Sequence, residues 1–122
     1  MGQLHLLEDF RPGKGGGPRR SQRAVYFNRS ELTQLLSVYS RRVMTGEWRD
    51  YAIDHQPGIA MFSIFRHTHD QPLFSIAKRA NGSSKPGKEF DYAVYSGRQQ
   101  LARSGKLAEA LRVFERKLQV VS

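Results

Sequence analysis

The sequence predicts an α+β domain, an antiparallel meander sheet of four to five strands with two helices packed on one face, preceded by a flexible N-terminal arm. Three observations carry that prediction. A stripe of apolar residues at helical spacing opens the regular part of the chain, a run of period-two segments cut by turn sequences fills its middle, and a second helical stripe closes it. The 122 residues suffice for one domain with a real core. A hydrophobic fraction of 39% against 25% charged residues places the chain with folded rather than disordered sequences.

Residues 1 to 23 form the predicted arm and residues 24 to 122 the domain. From Pro12 to Arg20 there is no large apolar side chain, and Gly15, Gly16 and Gly17 in succession are entropically costly to order. Leu4, Leu6, Leu7 and Phe10 lie upstream, apolar enough to dock on something and too short to fold alone. Val25 to Phe27 suits a short strand. Asn28 followed by Glu31 makes a capping-box-like start, with Ser30 as a competing cap, and Leu32, Leu35, Leu36, Tyr39 and Val43 continue as one helical stripe to about Thr45, where Gly46 suits the left-handed position beyond a helix end.

Beyond Trp48 the period becomes two. Tyr51, Ile53 and His55 share one face of a strand, and Pro57-Gly58 turns the chain. Ala60 to Phe65 is apolar on both faces, with Phe62 and Ile64 opposed to Met61 and Phe65, as an interior strand requires. Leu73 to Arg79 and Phe90 to Ser96 follow as strands, separated by the turn-rich stretch from Asn81 to Lys88, and a short segment around Gln99 to Ala102 completes the meander. Short connections favour antiparallel pairing between neighbours. Ser104 is the expected cap of the last helix, whose stripe is Leu107, Ala110, Leu111, Phe114 and Leu118.

The composition removes several functions at once. No cysteine is present, which excludes disulfides, thiolate nucleophiles and cysteine-ligated metals. No Walker loop, Gly-x-Ser-x-Gly elbow or His-Glu-x-x-His helix occurs, so no cofactor is implied. The opening residues lack the three parts of a secretory signal, no acylation or twin-arginine signal is apparent, and no apolar run reaches spanning length; a cytoplasmic location is expected. His67 and His69 have a spacing that puts two imidazoles on one side of a strand, with Asp70 adjacent, but a metal site needs a third convergent ligand. An exposed loop is the simpler account of them.

Twenty basic residues against eleven acidic ones give a net charge of +9, a field that attracts polyanions. The arm carries five of the cations (Arg11, Lys14, Arg19, Arg20, Arg23) against Glu8 and Asp9. The candidate nucleic-acid contacts are Arg19 and Arg20 in the arm and Arg66, Lys78, Arg79, Lys85, Lys88, Arg98 and Arg103 at strand ends and loops, because phosphate binding needs clustered cations. Trp48 and Arg49 form a candidate anchor for a protein partner, since Trp and Arg serve as recognition residues; alternatively Trp48 plugs one end of the core while Arg49 pairs with a carboxylate. A non-enzymatic binding or regulatory module that engages nucleic acid is the expected function, with an adaptor for an acidic protein as the alternative and an enzyme built from a noncontiguous site as the third reading.

The helix, strands, helix order superficially resembles a double-stranded RNA-binding domain, but the extra strand and the absence of a lysine cluster at the start of the second helix set it apart. The segments Glu47 to Ile53, Phe62 to Arg66 and Gln71 to Arg79, with the closing helix after Arg103-Ser104-Gly105, resemble a small bacterial protein family of unknown function over nearly everything from Val25 onward. That resemblance implies a cytoplasmic bacterial protein and assigns no residue a role.

Overall fold

In the computed structural model, which describes residues 24–67 and 71–115, one helix crosses a five-stranded antiparallel sheet and a short second helix returns beside it. The elements are α1 (Arg29–Met44), β1 (Asp50–Gln56), β2 (Ile59–Phe65), β3 (Phe74–Ala80), β4 (Phe90–Ser96), β5 (Gln99–Ser104) and α2 (Leu107–Leu111), followed by a 3₁₀ turn over Arg112–Glu115. The sheet order is β1-β2-β3-β4-β5, so every strand pairs with its sequence neighbours. The expected meander has all five strands, and residues 1–23 and Leu118 lie outside the described residues.

Local chemistry explains both ends of α1. Asn28 caps it in extended conformation, its Oδ1 accepting from the Glu31 amide at 2.8 Å while Glu31 Oε1 accepts from the Asn28 amide at 2.8 Å. This reciprocal box satisfies two amides that a helix start leaves bare. At the other end Thr45 is the C-cap and Gly46 follows at φ 82°, a conformation in which a Cβ would clash with the backbone. Arg41 and Arg42 in the last turn complement the negative end of the helix dipole.

The buried line of α1 is rotated slightly from the predicted stripe. Glu31, Leu35 and Val38 are buried, Leu32, Leu36 and Tyr39 pack at the flanks, and Val43 is 38% exposed. Extending the line one more turn reaches Arg42, not Val43. The helix therefore meets the sheet along Glu31, Leu35, Val38 and Arg42, with a charged residue at either end of an apolar middle.

That middle closes on the sheet face formed by Phe62, Ile64, Ile76 and Val94, joined by Leu107, Ala110, Leu111 and Phe114 from the C-terminal turns. A register shift between β4 and β5 beside Val94 and Tyr95 leaves Leu101 without a partner, and both Leu101 and Ala102 pack against the core, as a bulge permits. α2 is shorter than the predicted helix, and Ser104 is not its cap. β5 extends through Ser104, Lys106 becomes the N-cap, and the Ser104 hydroxyl accepts from the Lys106 amide at 3.1 Å while donating to Glu109 Oε1 at 2.7 Å.

Val25 to Phe27, expected as a strand, is extended with Val25 and Phe27 buried and Tyr26 exposed, but joins the sheet only through an Ala24–Pro57 bridge. The Tyr26 carbonyl accepts instead from Lys78 Nζ at 2.8 Å, a side chain taking the place of a ladder partner. Among the described residues no helix is long and apolar enough to cross a membrane.

The rotated stripe makes a direct test. Leu35→Ala empties a site that is 1% exposed and should cost about 2–5 kcal/mol in urea unfolding. Val43→Ala should change stability by no more than about 0.5 kcal/mol, an outcome that the predicted stripe would reverse.

Candidate polyanion-binding surface

The position of each candidate cation follows from strand alternation. On β3, Phe74, Ile76 and Lys78 share a face, and the register pairs Lys78 with Ala60 and Tyr92. That face is covered by α1, so Lys78 points into the core and is 4% exposed. Lys78 Nζ donates to Glu31 Oε1 at 2.8 Å and to the Tyr26 carbonyl, and lies 4.4 Å from the centroid of the Phe90 ring. Glu31 Oε2 accepts from the Tyr92 hydroxyl in a short hydrogen bond. An anion-contact role for Lys78 on the surface is thereby corrected: its ammonium is the counter-ion of a buried carboxylate.

The cluster is closed to a ligand. Glu31 receives the Asn28 amide, Lys78 and Tyr92, while the three ammonium protons of Lys78 face Glu31, the Tyr26 carbonyl and the Phe90 ring. Burial of Tyr92, its hydrogen bond to Glu31 and the negative charge of that carboxylate hold the phenol well above the ordinary tyrosine value. An isolated charge here would be costly, and pairing together with full hydrogen bonding removes most of that cost. The arrangement can lock a helix to two strands; it offers no group to a substrate.

Trp48 also turns inward. It is 4% exposed, with the Phe114 ring edge-on at 5.2 Å, Phe74 at 5.9 Å and Arg42 over its face at 5.7 Å. Arg49 is exposed, and neither nearby carboxylate pairs with it: Asp50 Oδ1 accepts from the Tyr51 amide at 2.9 Å, Glu47 Oε1 accepts from Arg42 at 2.9 Å, and Arg42 also donates to the Phe114 carbonyl. Plugging the core end is thus what Trp48 does, while Arg49 makes no ion pair among the described residues.

The remaining cations divide between the two ends of the sheet. Arg49 immediately precedes β1 and Arg66 immediately follows β2, the Arg49 amide donating to the Phe65 carbonyl at 2.8 Å, and Arg98 projects from the β4–β5 turn at the same end. Lys85 and Lys88 occupy the loop at the opposite end, which is folded by its own side chains: Asn81 donates to the Lys88 carbonyl, and the Ser83 amide donates to Asn81 Oδ1. Arg79 is half-buried near that end. Arg103 pairs with Asp91 at 3.0 Å, and this bond, with a second from Asn81, holds the Asp91 carboxyl below its usual range.

Arg19, Arg20, His69 and Asp70 lie outside the described residues, and His67 is exposed. Among the described residues no three His, Asp or Glu side chains gather as metal ligands. A shallow cleft of about 400 Å³ lies between the last turn of α1 and the 3₁₀ turn, lined by Arg41, Arg42, Glu47 and Phe114; of its two cations, Arg42 is already engaged by Glu47.

Fold and surface define an α+β domain with a sealed charged cluster inside and a basic rim outside. The chain belongs to the family described as "Protein of unknown function (DUF2794)", whose model matches residues 25–111. No curated protein and no solved structure matches the chain. The matched span contains Glu31, Lys78, Tyr92 and Trp48, the residues that tie the helix layer to the sheet.

The signal missed in the sequence was strand alternation, which sets Lys78 in phase with Phe74 and Ile76 and so on the face that α1 covers. What it leaves open is which carboxylate meets the ammonium. Glu31 reads as a helix-capping residue, and its second function appears only when β3 passes beneath the cap.

Two measurements check the cluster. Lys78→Met and Glu31→Leu should each destabilise by about 3–5 kcal/mol by leaving one charge unpaired, and the double variant should cost clearly less than their sum in a urea double-mutant cycle. Raised above its unfolded value near 10.0, Tyr92 contributes stability that is complete below that pH. It is lost as pH rises further, because the unfolded phenol ionises first. Tyr92→Phe should therefore flatten the alkaline limb of a stability-against-pH profile.

Proposed function

We propose that the protein is a non-enzymatic binding or regulatory module that engages nucleic acid through its basic rim, with the arm of residues 1 to 23 adding cations to the same field. It acts in the cytoplasm on this proposal, a setting compatible with a chain that has no cysteine. The observation that carries the proposal is the set of exposed cations at Arg49, Arg66, Arg98, Lys85 and Lys88, none of which forms an ion pair among the described residues. Exposed cations without carboxylate partners are available to phosphates at little desolvation cost, and each one that neutralises a phosphate releases counterions.

Spacing supports the same reading. Seven-residue strands put the two basic ends about 20 Å apart, a length covered by about six base pairs of duplex. The two ends can thus address one continuous polyanion. With Trp48 buried, a protein partner would have to be held by Arg49 and the sheet edges, without Trp48 as its anchor.

Fluorescence anisotropy with labelled duplex and single-stranded DNA and RNA, titrated with salt, tests the proposal. Tight binding at low salt is expected. Replacing Arg49, Arg66 and Arg98 together by Ala should flatten the duplex log K against log salt slope by about 2.7, and Lys85→Ala with Lys88→Ala by about 1.8, if every side chain meets a phosphate. Thermal midpoints should stay nearly unchanged, because these side chains bury little. Absence of binding to all four probes at low salt overturns the proposal and leaves the acidic-protein partner, which would be captured after nuclease treatment.

A further inference from the structure

Among the described residues, the two tyrosines that remain exposed both stand along β1. This is an outer strand of the sheet, and the Ala24–Pro57 bridge lays the extended chain of Val25 to Phe27 against its far end. Tyr51, Ile53 and His55 alternate onto the face that α1 covers, opposite Ile64, Phe62 and Ala60 of β2. At the near end Tyr51 is 39% exposed, with one side of its ring stacked on Phe62 at 5.0 Å and Tyr39 almost perpendicular to it at 4.9 Å. At the far end the exposed His55 ring lies 4.5 Å from that of Tyr26, which is 60% exposed.

Tyr26 is presented to solvent by its surroundings. Buried Val25 and Phe27 pin the backbone on either side of it, its carbonyl accepts from Lys78, and His55 backs its ring. Tyr51 is fixed in the same way by Phe62 and Tyr39. A ring already held in place loses little freedom when a second flat group settles on its open side, so both tyrosines are preorganised for stacking.

We propose that this edge of β1 binds single-stranded nucleic acid, with unpaired bases stacking on Tyr26 and Tyr51. The inference rests on the nucleic-acid reading above and narrows it from polyanions in general to strands whose bases are free. Charge selects this occupant over an apolar peptide, because each tyrosine stands at one of the two basic ends. Tyr51 follows Arg49 by two residues and shares its end of the sheet with Arg66, while Tyr26 precedes the exposed Arg29 and lies at the end that carries the loop of Lys85 and Lys88. None of these cations forms an ion pair among the described residues. The carboxylates of β1 are kept apart from them, since Asp50 and Asp54 alternate to the other face.

Base geometry makes the distinction from duplex. Within a duplex each base is stacked between its neighbours and shows only its edge, whereas an unpaired base offers a flat face to an aromatic ring. Tyr51 and His55 are four residues apart on β1, about 13 Å along the strand. The two rings therefore take separate bases of one strand, with phosphates between and beyond them open to the cations at either end.

Fluorescence anisotropy with a labelled single-stranded DNA oligonucleotide and with its duplex tests the proposal. Full-length protein should bind the single strand more tightly. Tyr26→Ala should weaken single-strand binding by about 5- to 150-fold while duplex binding stays within about twofold. Its log K against log salt slope should not change, because no phosphate contact is lost. Tyr26→Phe keeps the ring and should bind as the unsubstituted protein does. Thermal melting reports whether each variant is folded, and Tyr51→Leu, which keeps apolar bulk against Phe62, provides the same readout from the other end of the edge. Single-strand affinity that the folded variants retain in full, or a loss equal on both probes, overturns this proposal and leaves the broader nucleic-acid reading standing. Absence of binding to either probe overturns both. A Tyr26→Ala effect that follows the dissociation of a dimer in light scattering assigns the edge to a second copy and also overturns it.

Discussion

The structure depends most on the Glu31 carboxylate. It closes the capping box that starts α1, accepts from Lys78 on β3 and accepts from Tyr92 on β4, so a single side chain fixes where the helix begins and where it rests. Hydrophobic burial drives the layers together without choosing among nearby rotations of the helix. A buried charge has far fewer acceptable positions, since displacing it by a few ångströms leaves an ion without partners. Arg42 plays the matching part at the far end through Glu47 and the Phe114 carbonyl. The helix is thus held at its two ends by polar contacts and along its middle by Leu35 and Val38.

This arrangement separates the charges of the molecule into two populations. Lys78 and Arg42 are committed to the architecture, whereas Arg49, Arg66, Arg98, Lys85 and Lys88 are exposed and meet no carboxylate among the described residues. Net charge alone does not distinguish them, although only the second group can contribute to an external field without unfolding cost. The Asp91–Arg103 pair falls between, a surface bond whose contribution to stability is small.

Most of the fold was legible because its signals are local. The capping box, the glycine beyond α1, the alternation of each strand and the turns between them are all set within a few residues, and each has its counterpart in the structure. The misreadings come where a distant residue decides. Val43 gives way to Arg42 on the buried line because the packing angle of α1 is set by contacts with β3 and the 3₁₀ turn. Val25 to Phe27 misses the sheet ladder because Lys78 takes a carbonyl of that segment. Ser104 loses its capping role because β5 runs on to meet Tyr92 of β4. For the surface, the sequence supplied the candidate cations, and only the register showed that Lys78 lies inside and that the others divide between opposite ends.

Strict neighbour pairing in the sheet also bears on how the chain finds this structure. Two of its four strand connections contain only two residues, Pro57-Gly58 and Gly97-Arg98, so the hairpins they join close small loops at low entropic cost. The clasps on α1 are of another kind. Glu31 and Lys78 are 47 residues apart, Glu31 and Tyr92 are 61, and Arg42 and Phe114 are 72. Every one of these contacts needs a surface that the strands must first create. The hairpins are thus the least costly contacts for the chain to make, and the long-range polar contacts that define the native arrangement carry the larger closure entropy.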